Sequence, residues 1–281
     1  MTLRYIIGLL GMFAVCFGAQ SFALRVSGGK TVKSESNYFS SIARIQTESQ
    51  GKPRIMMLGS SITGRLGDRA QHFDGVANLG CDGGSAVVTL RAMDRGILPT
   101  AALLIIEANS LSFELEGRGK EIGAALDSHW FDVGIKTPNL GATARPSAFA
   151  YSWLMARSSG SAPNNDQEFL PISTKPVTLD PSISPKLNSK ETALVDEVVA
   201  ILGRLRKDGS KILLVMLPPG AETDSEQMKI ALGVAAKSGV PWWNLTEDLP
   251  PDSVGFSDGL HLDAASAQKV MLTLMREVRD R

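Results

Sequence analysis

Arg54-Ile55-Met56-Met57-Leu58-Gly59-Ser60-Ser61 is the stretch that decides how this chain folds. Four apolar side chains follow one another without a polar break, and a glycine stops them. A strand with one wet face alternates apolar and polar residues, whereas an unbroken short run is buried on both faces. Gly59 and the two serines then read as a tight turn. The same pattern recurs along the chain. Val76-Ala77-Asn78-Leu79 ends at Gly80, residues 101–106 are continuously apolar, and residues 211–217 are stopped by Pro218-Pro219-Gly220. Residues 240–245 form a fifth run of this kind.

Helical spacing fills the gaps between these runs, over residues 38–45, 85–95, 191–207, 225–237 and 264–278. In the clearest of them Leu194, Val195, Val198, Val199, Leu202 and Leu205 share one stripe. Buried strands alternating with helices predict an α/β fold. The expected form is a three-layer α/β/α sandwich around a flavodoxin-like parallel sheet of about five strands. A length of 281 residues suits one large domain, here residues 37–281. Residues 131–190 break the pattern. They are rich in Pro, Ser, Asn and Gly, with one helical piece over 148–157, and read as an insertion on the acceptor side of any site.

Lys plus Arg and Asp plus Glu both total 29, so charge gives no reason to expect a nucleic acid partner. Of the two cysteines, Cys16 lies in an apolar N-terminal segment. Cys81 alone can form neither an internal disulfide nor a thiolate zinc site, and reads as a small buried residue. Arg4 precedes an apolar run over residues 5–24, and Ser21-Phe22-Ala23 places small residues where a signal peptidase reads them. Residues 1–23 are thus a cleaved secretory signal or a retained membrane anchor, and 24–36 a tether. Both readings put the domain outside the cytoplasm: periplasmic, secreted, or anchored to the inner membrane. Arg25, Lys30 and Lys33 oppose that orientation under the positive-inside rule; the signal-like layout carries more weight.

Open parallel sheets bind ligands at the carboxyl ends of their strands. Four groups of residues fall there or just before the last helix: Gly59-Ser60-Ser61, the glycine-rich Asn78 to Ser85, Asn109, and Asp258-Gly259-Leu260-His261. Each alone has an ordinary reading, as a turn, a flexible connection, a helix cap or a structural histidine. Together, in this order, they suit acyl transfer. A serine on a sharp turn is exposed to attack a carbonyl, and an imidazole oriented by a carboxylate takes its proton.

The four groups resemble the nucleophile, glycine, asparagine and Asp-x-x-His blocks of the SGNH or GDSL family of esterases and lipases. The resemblance implies a catalytic centre of Ser61, His261 and Asp258. It also implies an oxyanion hole made by the Ser61 and Gly83 amides and the Asn109 side chain, with no metal or organic cofactor. The implied activity is that of an exported serine esterase cleaving small acyl esters, acetyl above all, on a small molecule or carbohydrate. Three residues depart from the family pattern: Ser60 for an aspartate, Glu107 for a glycine, and Ser110 for a second acid. The Gly-Ser-Ser form is similar to exported acyl-transfer relatives that work beside a membrane-bound acyltransferase. Transfer to a cell-envelope polysaccharide therefore stays open beside hydrolysis. So does a non-catalytic binding module, since a carboxylate at Glu107 beside an oxyanion hole would oppose negative charge.

Overall fold

The computed structural model describes residues 2–26, 34–66, 73–158, 170–172, 175–250 and 252–279. Each of the five apolar runs is a parallel strand: β1 (Ile55–Gly59), β2 (Val76–Gly80), β3 (Leu103–Glu107), β5 (Lys211–Met216) and β6 (Pro241–Asn244). A sixth, β4 (Val177–Thr178), pairs antiparallel with β6 through Val177↔Trp242 and Thr178↔Pro241. The sheet order is β2-β1-β3-β5-β6-β4. The expectation of a wholly parallel sheet of about five strands is thereby corrected to a mixed sheet of six. Two exposed residues show no periodicity, so nothing in the sequence marks β4; its place at the edge shortens the open side of β6.

Burial on both faces follows from strand alternation. Met56 and Leu58 of β1, with Leu104 and Ile106 of β3, enter one apolar cluster, while Met57 and Ile105 between them enter a second. Helices α2 (Asn37–Glu48), α4 (Ala86–Asp94), α8 (Ser189–Lys207) and α9 (Glu226–Ser238) contribute to the first cluster. The second is closed by α3 (Ser61–Leu66) and α11 (Ala264–Arg279), the latter through Val270, Met271, Leu274 and Met275. Helix starts carry side-chain caps where the sequence offers them. Ser36, Ser85 and Ser225 each accept an amide hydrogen bond, and Asn188 with Glu191 makes a reciprocal capping box.

The N-terminal helix α1 (Thr2–Val26) covers the expected apolar segment and continues through Arg25 and Val26. The 131–190 region carries structure of its own: α7 (Pro146–Ser158), β4, and most of α6 (His129–Lys136), which begins just before it.

The first two strands end in a close glycine contact. Gly59 pairs with Gly80, and the Cys81 amide donates to the Gly59 carbonyl at 2.8 Å. A Cβ on Gly80 would lie 2.6 Å from Gly64 Cα and 2.8 Å from the Ser60 carbonyl oxygen, backbone atoms that cannot turn aside. Gly80→Ala is expected to lower unfolding stability by roughly 1–3 kcal/mol through overpacking. Gly203→Ala, in α8 with open space around it, should raise it by about 0.4–1 kcal/mol. Urea unfolding of the two variants checks both signs.

Candidate catalytic site

Ser61 is the first residue of α3, immediately after the turn that ends β1. Its Oγ lies 2.8 Å from His261 Nε2, across 200 positions of sequence. On the far side of the ring, His261 Nδ1 lies 2.8 and 3.0 Å from the two carboxylate oxygens of Asp258. A carboxylate can only accept, so the Nδ1 position carries the proton and Nε2 is free to accept from the serine hydroxyl. The structure therefore brings Ser61, His261 and Asp258 into one hydrogen-bonded line.

The loop bearing the histidine is locally built. Phe256 and Leu262 form an antiparallel bridge, and the Ser257 amide donates to the His261 carbonyl at 2.8 Å. Gly259 sits at the tip with φ +79°, a left-handed conformation that favours glycine. Asp258 accepts the amides of Leu260 and His261 at 3.2 and 2.8 Å. The His261 amide and then its ring hold the Asp258 carboxyl far below the usual carboxylate range. The pair is unevenly covered: the Asp258 side chain is 48% exposed and that of His261 11%. Arg65, one helical turn beyond Ser61, reaches Asp258 Oδ2 at 3.4 Å. Between two exposed groups this contact adds little energy, but it ties α3 to the histidine loop.

The neighbouring Ser60 is committed elsewhere. It is buried, its Oγ donates to Glu107 Oε1 at 2.7 Å, and the same oxygen accepts the Ile62 amide at 3.1 Å. Glu107, at the end of β3, also accepts the Ser60 amide at 2.9 Å, the Thr63 amide at 3.0 Å and the Thr63 hydroxyl at 2.6 Å. Burial pushes the Glu107 carboxyl up, against the pull of these four donors. The carboxylate that raised doubt in the sequence is thus turned into the turn before Ser61 as its anchor.

Gly83 takes φ +73° in the loop after β2, and nothing approaches where its Cβ would be. Among the described residues the Ser61 and Gly83 amides donate to no acceptor. The loop is held from behind by α2. Arg44 Nη1 donates to the Gly80 carbonyl at 2.6 Å and meets Asp82 Oδ1 at 3.1 Å, while Ser41 Oγ accepts the Asp82 amide at 2.8 Å.

Asn109, the expected side-chain oxyanion donor, bonds the loop after β5. Its Nδ2 donates to the Leu217 carbonyl at 2.8 Å and, longer, to the Gly220 carbonyl at 3.4 Å. Its Oδ1 accepts the Leu217 amide at 2.8 Å. The amide is spent clamping the loop after β5, because Leu217 offers both a donor and an acceptor and the site is dry. Ser110, the other departure nearby, donates to the Glu107 carbonyl and accepts the Ala86 amide, and so joins β3 to α4. Glu107, Thr63, Arg44 and Asp82 were not singled out as supports from the sequence. The one available sign was a glutamate closing a wholly apolar strand, since a charge there must find partners.

Among the described residues no group of three or more His, Cys, Asp or Glu side chains is placed to hold a metal ion. Cys81 is buried and its thiol is pushed up to about 12 by desolvation, so it stays protonated and unreactive.

No family model, curated protein or solved structure matches this chain.

Three substitutions probe these supports. Glu107→Ala strands four donors and is expected to cost about 3 kcal/mol or more in unfolding stability. Glu107→Gln keeps an oxygen for the three donors at Oε2 and should cost much less. Asn109→Ala should lower stability by about 1–3 kcal/mol by leaving the Leu217 amide and carbonyl unpaired. Denaturant midpoints measured beside wild type test all three.

Proposed function

We propose that this chain is a serine esterase acting outside the cytoplasm, with Ser61 as nucleophile, His261 as general base and Asp258 as the residue that orients it. The observation that carries the reading is the line from Ser61 Oγ to His261 Nε2 at 2.8 Å and from His261 Nδ1 to Asp258 at 2.8 Å. Ser61, not Ser60, has a hydroxyl facing the imidazole, and Ser60 is spent on Glu107. The resemblance to the SGNH family fits this geometry. Its three-layer, flavodoxin-like form is supported by the apolar clusters that alternate strand residues enter.

On this reading His261 takes the proton from Ser61 as the hydroxyl attacks an ester carbonyl. Charge develops on the carbonyl oxygen, and the uncommitted amides of Ser61 and Gly83 are its donors. The loss of one such donor typically costs about 2.7–4 kcal/mol of barrier. The ester C–O bond breaks, the alcohol leaves with the proton from His261, and the acyl group stays on Ser61 Oγ. Water, deprotonated by the same imidazole, then attacks the acyl-enzyme and releases the acid. Asn109 has no part in holding the oxyanion here, since its amide serves the Leu217 loop. The substrate class, a small acyl ester with acetyl foremost and a carbohydrate as its alcohol, rests on the resemblance.

Acyl transfer to a sugar hydroxyl uses the same acyl-enzyme with a different acceptor. The observation favouring it is the docking of α1 on the domain, where Asn139 Nδ2 donates to Ser21 Oγ at 3.0 Å. A domain held beside the membrane is suited to work with a membrane acyltransferase. The non-catalytic reading loses its main argument, because the Glu107 carboxylate faces Ser60 and Thr63.

Hydrolysis of 4-nitrophenyl acetate is the test. Ser61→Ala and His261→Ala are expected to reduce kcat by about 10⁴-fold or more, the scale seen when either member of a nucleophile–base unit is removed. Ser60→Ala should retain most turnover while lowering stability. Activity that survives in Ser61→Ala would sink the assignment. Wild-type turnover that appears only when a sugar acceptor is added would favour transfer.

A further inference from the structure

Helix α1 is long and apolar enough to cross a bilayer: within Leu3–Val26 an 18-residue window has a mean hydropathy of 1.9, and only 6% of that window is buried. Arg4 and Arg25 stand at the ends of the run, 21 residues apart. At 1.5 Å per residue that is ~32 Å, close to the ~30 Å of a hydrocarbon core. Its C-terminal end does not hang free. Ala23 is 3% exposed, and the end of the helix packs on α7 and on the short turns Pro138–Leu140 and Ala142–Ala144. A peptidase needs Ser21 to Ala23 extended and accessible, whereas here they are helical and partly covered.

The elements around that end carry large apolar side chains that face outward. Trp130 of α6 is 76% exposed, and Leu140, Trp153 and Leu154 are 40%, 48% and 58% exposed. Trp130 and Leu140 line, with Gln20 of α1, a cavity of about 340 Å³ that also touches Phe39, Ile42 and Arg145. Trp153 and Leu154 lie on α7, which itself contacts α1. A single exposed Leu needs no explanation, but a group of this size beside an apolar helix does. Trp is suited to the bilayer interface because its ring is apolar and its N–H is not. Ser21, bonded to Asn139, lies four residues before Arg25, about 6 Å along the axis, and interfacial segments sit ~5–10 Å deep.

We propose that α1 is retained, and that Trp130, Leu140, Trp153 and Leu154 form a second contact beside it, seated in the interface of a phospholipid bilayer. Lipid is the occupant because the patch borders a helix whose own exposed side chains require hydrocarbon. The chain then grips the membrane at two points, and two points fix the orientation of the domain where one leaves it to swing. The inference does not depend on the esterase reading.

The experiment uses the full-length chain purified from membranes and reconstituted in vesicles of phosphatidylcholine and phosphatidylglycerol, with and without lipids brominated high on the acyl chain. The other two tryptophans, Trp242 and Trp243, are buried in the core at 6% and 1% exposure and supply an unquenched background. Tryptophan emission should fall in the brominated vesicles, and that fall should be lost in Trp130→Phe/Trp153→Phe, a double variant of exposed residues with an unchanged circular dichroism spectrum. Intact mass should include α1. Equal quenching in wild type and the double variant overturns the proposal. So does absence of quenching with a dimer in detergent that the double variant abolishes, which would make the patch an interface between two copies. A mature mass that begins after Ala23 overturns retention.

Discussion

A buried carboxylate fixes the turn on which everything at this site depends. Glu107 reaches from the end of β3 to the turn leaving β1 and takes four hydrogen bonds from Ser60 and Thr63. A turn of four residues has many conformations of similar energy, and ordering each residue costs about 1–2 kcal/mol of backbone entropy. Four donors converging on one acceptor in a dry interior select one conformation. They turn Ser60 inward, and this leaves Ser61 as the hydroxyl facing outward to His261. The glycines make the convergence geometrically feasible. A Cβ at Gly59 would collide with Thr63 and with Glu107 itself.

This arrangement explains two departures from the SGNH pattern as one device. Where the family pattern has an aspartate before the nucleophile, this chain has Ser60; where it has a glycine on the third strand, this chain has Glu107. In this structure the two residues work together: the Ser60 hydroxyl donates to the buried Glu107 carboxylate at 2.7 Å, and a side chain this short leaves room for it beside the serine turn.

Much of this was legible in the chain itself, for identifiable physical reasons. The parallel strands announced themselves because double-faced burial demands unbroken apolar runs such as Ile55 to Leu58. His261 and Asp258 were legible as a pair because they stand three positions apart and a Gly-containing loop brings them together locally. β4 was not legible, since two exposed residues carry no periodic signal. The partner of Asn109 was not legible either. An asparagine at a strand end offers the same donors whether it faces an oxyanion or the Leu217 backbone, and only the three-dimensional course of the loop after β5 decides between them. Glu107 failed for a related reason: the sequence shows a charge, but not the four donors that share it.

The two carboxylates also show how one fold sets opposite environments within a few residues of one hydroxyl. Asp258 is half exposed, and donors from its own loop hold it ionised well into acid. Glu107 is buried, and desolvation raises it in spite of its donors. The first belongs to a loop that closes on itself through Phe256 and Leu262 and contacts α3 through Arg65. The second belongs to the sheet. In the proposed mechanism Asp258 orients the imidazole, and the Leu260 and His261 amides favour its charged form. A group that only shapes a turn gains from dryness, which makes each of its hydrogen bonds count for more. Their environments thus separate dynamic from structural work, and α2 completes the frame. Through Arg44 and Ser41 it fixes the Gly80 to Asp82 segment, while Phe39 and Ile42 of the same helix line the cavity at the end of α1. The proposed oxyanion loop and the proposed membrane-facing end of the domain therefore share one rigid element.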